Sequence, residues 1–205
     1  MKALVVSDIH SAFRRFKRII SAESFDVIVV CGDITDFAAN HIPQFLEAVE
    51  DYTCIAVHGN CDPPETISLL QSSDIHFIHG KSIELDGITF HGIGGSNYTP
   101  FFTPSEYSED EIREVISNFV FGDFNVLVTH CPPKGVLDFT YTRKRAGSEA
   151  IAEIAEKFDV ILCGHIHEAR GIEKRDFLAV NPGSVSAGRY AVVDFDERRA
   201  ELKQI

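Results

Sequence analysis

The chain lacks the marks of several large protein classes. No apolar stretch approaches the roughly 20 residues that a membrane span needs, so no membrane association is expected. The apolar run from Ala3 is short and ends in Asp8 and His10, residues that a cleavable signal would not tolerate, and the reading is a cytoplasmic protein. The five cysteines are scattered and odd in number, and form neither a disulfide framework nor a paired Cys-x-x-Cys zinc pattern. Basic residues are scarce: 19 Lys and Arg against 31 Asp and Glu give a formal charge of -12, which argues against a broad nucleic-acid-binding surface. Internal repeats, low-complexity tracts and Pro-rich linkers are missing too, so residues 1–205 are read as one domain.

What is present is a repeated grammar of apolar, β-branched runs that stop at polar residues. Ala3-Leu4-Val5-Val6 precedes Ser7-Asp8-Ile9-His10, and Val27-Ile28-Val29-Val30 precedes Cys31-Gly32-Asp33. Ile55-Ala56-Val57 leads into His58-Gly59-Asn60, Val126-Leu127-Val128 into Thr129-His130, and Val160-Ile161-Leu162 into Cys163-Gly164-His165-Ile166-His167. In open α/β sheets, ligands collect beyond the carboxyl ends of the strands. Taken singly, Asp-x-His and Gly-Asp read as turns, whereas Gly-His-x-His reads equally as a ligand pair, since two imidazoles two residues apart in extended chain project to the same side. Together they bring Asp8, His10, Asp33, Asn60, His130, His165 and His167 to one sheet edge, where carboxylates and imidazoles would be costly to bury uncompensated. A two-metal site compensates them.

Apolar residues at Phe13, Phe16, Ile19 and Ile20 predict an amphipathic helix over 13–22. A strand over 26–30, a helix over 43–50 with Pro43 in its first turn, and a strand over 55–57 complete a β-α-β-α-β unit with parallel strands. Asp86-Gly87 between 82–85 and 88–91 predicts a hairpin, so the sheet becomes mixed. Ser108 followed by three acids opens a helix to about Val120, and a second runs over 148–158. Beyond Gly171, hairpin-like strands are expected at Phe177 to Val180, Tyr190 to Phe195 and Ala200 to Lys203. His58, His79 and His91 are read as solvated or hydrogen-bonded strand-end residues.

The ordered motifs Asp8-Ile9-His10, Gly32-Asp33-Ile34-Thr35-Asp36, Gly59-Asn60-Cys61-Asp62, His130 and Gly164-His165-Ile166-His167 resemble the signature of the calcineurin-like metallophosphoesterase superfamily. The likeness spans roughly residues 3 to 185. Asn181-Pro182-Gly183-Ser184 is similar to its small bacterial and archaeal phosphodiesterase branch, which tends to carry Cys at the position of Cys61. The resemblance implies an α/β fold, a four-layer α-β-β-α sandwich of two mixed sheets with metals at one end. It implies one metal held by Asp8, His10, Asp33 and His167 and another by Asp33, Asn60, His130 and His165, with Asp33 bridging.

Mixed carboxylate, amide and imidazole ligation suits two divalent transition-metal ions, Mn first, with Fe, Co, Ni or Zn as alternatives. The implied activity is hydrolysis of a phosphate ester by attack of a metal-bridging hydroxide, on a small or nucleotide-like substrate, diesters being favoured over monoesters. Cys61 departs from the wider family pattern, which has His there, paired with an aspartate matching Asp36 and thought to protonate the leaving group. With that dyad incomplete, slow turnover of alkyl monoesters is expected.

Asn60 and Cys61 are the candidate catalytic positions. The glycine-opened, aromatic segment from Gly94 to Pro104 has the composition of a loop that folds over substrate, with Asn97 as the candidate contact. Its Phe101-Phe102 pair points to self-association into a homo-oligomer. The competing readings are a metal-binding protein-interaction scaffold of the same fold and a nucleotide-polyphosphate hydrolase.

Overall fold

Period-2 alternation along the strands decides the layering. In the computed structural model, which describes residues 1–205, the chain runs through β1 (Lys2–Val6), α1 (Phe13–Ala22), β2 (Val27–Cys31), α2 (Ile42–Val49), β3 (Cys54–Val57), α3 (Pro64–Gln71) and β4 (His76–Phe77). Next come β5 (Ser82–Leu85), β6 (Ile88–Ile93), β7 (Ser96–Asn97), β8 (Glu106–Tyr107), α4 (Glu109–Ser117) and β9 (Asn125–Thr129). The remainder holds α5 (Glu149–Ala152), β10 (Val160–Leu162), β11 (Gly171–Lys174), β12 (Leu178–Asn181), β13 (Arg189–Asp194) and β14 (Arg199–Gln204). Two six-stranded sheets result, ordered β14-β13-β1-β2-β3-β4 and β11-β12-β10-β9-β6-β5. In the first, β1 to β4 are parallel and β13 and β14 antiparallel; in the second, the edge strands β5 and β11 run against a parallel centre.

Ala3, Val5, Val27 and Val29 face inward, where they meet Val126, Val128, Val160 and Leu162 of the second sheet. Leu4, Val6, Ile28 and Val30 face outward and are covered by Phe13, Phe16, Ile19 and Ile20 of α1 and Phe45 of α2. On the opposite outer face, Leu127, Ile161 and Ala179 lie under Ile112 of α4 and Ile151 of α5. This is the expected α-β-β-α sandwich. Phe16 is fully buried and stacks on Phe45 with ring centroids 6.0 Å apart. Burying one such side chain contributes about 1.5–3 kcal/mol.

Four local outcomes differ from the sequence reading. The helix expected to reach Val120 stops at Ser117, because Ser117 Oγ and Asn118 Nδ2 both donate to the carbonyl of Glu114 and compete with the helical pattern. The run expected over 148–158 is helical only over Glu149–Ala152. It bends at Ile154 into a 3-10 turn, after which Phe158 packs edge-on to the His91 ring at 5.4 Å. Helix α3 was not foreseen, although Pro64 at its first position and Glu65 in its first turn are ordinary start signals. The tail strands divide between the sheets. β13 and β14 form the expected hairpin, whereas β12 joins the other sheet beside β10, and the turn after Asn181, with Gly183 at φ +74°, carries the chain across the end of the sandwich. No helix is long and apolar enough to cross a membrane.

Candidate metal centre

The carboxyl ends of β1, β2 and β3 in one sheet and of β9 and β10 in the other converge on one end of the sandwich. Asp8 and His10 follow β1, Asp33 follows β2, Asn60 follows β3, His130 follows β9, and His165 and His167 follow β10. Hydrogen bonds lace the chain past the strand ends: Asp8 N–H donates to Gly32 O at 3.1 Å and His10 N–H to Asp33 O at 3.0 Å. Asp8, His10, Asp33 and His165 all have positive φ, between 44° and 65°. A non-glycine residue held there costs of order 1–3 kcal/mol and persists only where the surroundings over-determine it. Gly59 is required by close approach, since a Cβ at that position would fall 2.0 Å from Asp33 Oδ1.

Asp62, fully buried, ties the loop after β2 to the loop after β3. Its carboxylate accepts from Ile34 N, Thr35 N, Thr35 Oγ1 and Gly59 N at 2.8–3.0 Å. Burial and the nearby Asp33 carboxylate push it up to about 6, against the pull of those donors. This structural part was not assigned from the sequence, although Asp62 ends the Gly-Asn-Cys-Asp motif and was legible there.

The candidate ligand atoms crowd together. Asp8, His10 and His167 place theirs within 4.8 Å of one another, as do Asp8, Asp33 and His130, and also His10, Asp33 and Cys61. His10 Nε2 is 3.6 Å and His130 Nε2 3.4 Å from Asp33 Oδ2, and His167 Nε2 is 3.0 Å from Asp8 Oδ1. Asp33 thus stands between the two halves of the set. His165 sits slightly apart, its ring centroid 5.0 Å from that of His130 and its backbone N–H donating to Asp8 Oδ2 at 3.2 Å.

Electrostatics follow the geometry. Burial alone would raise the Asp33 carboxyl, but His130 and His10 beside it and the Cys61 N–H hold it well below the usual carboxylate range. Asp8 is also lowered against burial, by His167 and His130. His130 is raised to about 9, the Asp33 and Asp8 carboxylates outweighing burial, whereas burial and His130 push His165 down to about 4. His167 is raised by its contact with Asp8.

Two observations fit these residues to cations. Asp8 Oδ1 is buried and makes no well-aligned hydrogen bond, its His167 Nε2 neighbour at 3.0 Å notwithstanding. His130 Nδ1 must donate to the Cys31 carbonyl at 2.7 Å, which turns its Nε2 toward Asn60 Oδ1, 2.8 Å away, and Asp33 Oδ2. Both of those oxygens only accept, so a proton or a metal ion has to stand among them. A donor set of carboxylate, amide oxygen and imidazole suits a divalent transition metal.

The remaining candidates fall around this cluster. Cys61, 9% exposed, joins it more closely than a packing role requires, and burial with the Asp33 charge pushes its thiol far above the ordinary value. Asp36 is exposed, its Oδ1 3.8 Å from His10 Nδ1. His58 and His91 are fully buried rather than solvated. His58 Nε2 lies 3.0 Å from Tyr107 Oη, and His91 bonds Ser82 and Asn125, while His79 Nδ1 accepts from Gly94 N at 2.9 Å.

Asn97 accepts from the Cys131 thiol and lines a cavity of about 720 Å³ that His165 also borders. Tyr98, Phe101, Tyr141, Lys144 and Glu168 are among its other lining residues. Arg145 lines it as well but pairs with Asp138 at 2.7 Å and stacks over the Phe139 ring. Phe101 and Phe102 are 78% and 91% exposed. Thr103 and Glu106, which contact Asn60 directly and in turn, carried no sequence signal.

A two-sheet sandwich with helices outside and this gathering of carboxylates and imidazoles at one end defines a metallophosphoesterase type of protein. The chain belongs to the calcineurin-like phosphoesterase superfamily, whose domain model matches residues 1–198. It is 39% identical over 201 residues to an uncharacterised protein of Methanocaldococcus jannaschii, with 91% of this chain and 89% of that protein covered. The fold is similar to that of a dimetal phosphatase from Danio rerio, with a TM-score of 0.70, 11% identity, and 100% of this chain and 95% of that one covered. It is also similar to that of an archaeal phosphodiesterase, with a TM-score of 0.61, 18% identity and full coverage of both chains.

Proposed function

We propose that the protein is a single-domain, dinuclear metal-dependent phosphodiesterase acting on small, nucleotide-like phosphate esters. The observation that carries this reading is the convergence of Asp33 Oδ2, Asn60 Oδ1 and His130 Nε2 at one sheet end, beside the buried pair of Asp8 Oδ1 and His167 Nε2. Asp8, His10, Asp33 and His167 would hold one ion, and Asp33, Asn60, His130 and His165 the other, with manganese as the favoured metal. When bound, two such cations lower the pKa of a shared water and stabilise charge on the phosphoryl oxygens.

The chain's own residues set the rest. The Cys31 carbonyl keeps the proton of His130 on Nδ1, so that Nε2 faces the cluster. A thiol at Cys61 is a poorer proton donor than an imidazolium, so esters with easily departing oxygens are favoured over alkyl monoesters. The cavity of about 720 Å³ has the size of a small-molecule site, and its aromatic walls Tyr98, Phe101 and Tyr141 suit a planar ring, with Lys144 beside them for a phosphate.

The test is metal analysis of the purified protein followed by hydrolysis of bis-p-nitrophenyl phosphate and p-nitrophenyl phosphate with added Mn²⁺. Two bound ions and a faster diester reaction are expected. Two ions with no hydrolysis would favour a scaffold, and a faster monoester reaction would overturn the diester preference.

A further inference from the structure

Among the proposed ligands, the Asn60 side chain, like an imidazole, has a ligand atom that its own chemistry does not decide, because an amide turned by 180° presents a donor in place of an oxygen. Its surroundings decide it. Nδ2 donates to Thr103 Oγ1 at 2.9 Å, while Oδ1 lies 2.8 Å from His130 Nε2. The Thr103 hydroxyl donates to Glu106 Oε1, and an ionised carboxylate only accepts. That hydroxyl proton is therefore committed, and only lone pairs face Asn60. The donor edge of the amide has to point at Thr103, and its oxygen at the cluster.

Glu106 is well equipped to stay ionised. It also accepts from Thr103 N at 2.9 Å, from Thr99 N at 3.0 Å and from Thr99 Oγ1. Burial acts against its charge, but the Thr103 and Thr99 donors outweigh it and hold the carboxyl down to about 2. The same carboxylate thereby gathers both ends of the aromatic segment 99–103, whose Thr99 and Phe101 line the cavity beside His165. Asn60 itself is only 4% exposed, so a misturned amide could not be corrected by solvent.

We infer that Glu106 and Thr103 are positioning residues: the chain Glu106–Thr103–Asn60 holds the Asn60 carbonyl oxygen toward the metal site and couples the cavity loop to that ligand. The inference rests on the two-metal reading above. A partner that orients a ligand typically governs metal affinity by 10–100-fold when removed. The orientation of Asn60 therefore concerns the affinity of the ion it would hold rather than the stability of the sandwich, whose core lies elsewhere.

The experiment is calorimetric titration of metal-free protein with Mn²⁺, with electron paramagnetic resonance to detect a spin-coupled pair and circular dichroism to confirm folding. The parent is expected to bind two ions and show the coupled signal. Thr103→Val, which keeps the shape but removes the hydroxyl, is expected to weaken one ion by about 10–100-fold and lose the coupled signal, and Thr103→Ser to restore both. Glu106→Leu, which removes every acceptor for the Thr103 hydroxyl at that end of the chain, gives a second variant with the same expectation as Thr103→Val. Thr99→Val loosens the same loop without touching the Thr103–Asn60 bond and is expected to keep both ions.

If Thr103→Val and Glu106→Leu bind both ions as tightly as the parent, or if Thr99→Val loses one equally, the positioning role is overturned while the two-metal reading stands. If the parent binds fewer than two ions, both fall.

Discussion

His130 and Cys31 are joined across the sandwich: the imidazole Nδ1 donates to the Cys31 carbonyl at 2.7 Å, linking the end of a strand in one sheet to the end of a strand in the other. A bond that orients a ligand in this way fixes both its tautomer and the direction of its free nitrogen. His130→Ala is therefore expected to reduce bound Mn²⁺ from two ions toward one and to slow diester hydrolysis by more than about 100-fold. Elemental analysis and steady-state rates check this. In metal-free protein the substitution leaves the Cys31 carbonyl and the Asp33 carboxylate without this buried partner, and a loss of about 3–5 kcal/mol is expected in chemical denaturation.

Cys61 lies in the cluster with His10 and Asp33, where an imidazole would be a better proton donor to a poor leaving group. Cys61→His is expected to raise the monoester rate relative to the diester rate. An unchanged ratio of p-nitrophenyl phosphate to bis-p-nitrophenyl phosphate turnover would show that position 61 does not set the preference.

Glu106 gives a pH dependence whose sign follows from its lowered pKa. The folded protein holds this carboxyl at about 2, below its ordinary 4.5, so the stabilisation is present in full above 4.5 and is lost as pH falls toward 2. The stability difference between the parent and Glu106→Gln, read from urea unfolding of metal-free protein, should be constant above pH 4.5 and shrink below it. A difference that instead grew on acidification would contradict the assignment.

Phe16 anchors α1 on the first sheet, fully buried against Phe45. Phe16→Ala is expected to cost about 3–5 kcal/mol in urea denaturation, with the metal stoichiometry of the folded fraction unchanged. The residue lies on the outer face of the sheet, among the core residues under α1 and not among the candidate ligands at the strand ends.

The candidate site was largely legible because strand ends are punctuated. Each apolar run is broken by residues that a parallel strand cannot keep inside, and Asp8, His10, Asp33, Asn60, His130, His165 and His167 all lie at the end where the structure gathers them. The β-α-β-α-β opening was equally plain, from the helical spacing of Phe13, Phe16, Ile19 and Ile20 between two β-branched runs. Less was visible where competing local bonds rule. Ser117 and Asn118 end α4 by turning their side chains onto the Glu114 carbonyl, and the bend at Ile154 shortens the following helix against the periodicity. Thr103 and Glu106 belong to no motif, since their relation to Asn60 spans 43 residues of chain for Thr103 and exists only once β3 and the loop before β8 are folded side by side.

Sequence alone determined the alternation that puts Ala3 and Val5 on one face and Leu4 and Val6 on the other, and hence a sheet buried on both sides with polar residues at its ends. Only the tertiary structure decided which sheet each strand joined, as β12 and β13 show by parting company across the turn after Asn181. It also decided the direction of each candidate ligand atom. Those directions depend on hydrogen bonds between separate segments, such as His130 to Cys31 and Asn60 to Thr103, whose partners are distant in the chain and carry no periodic signal.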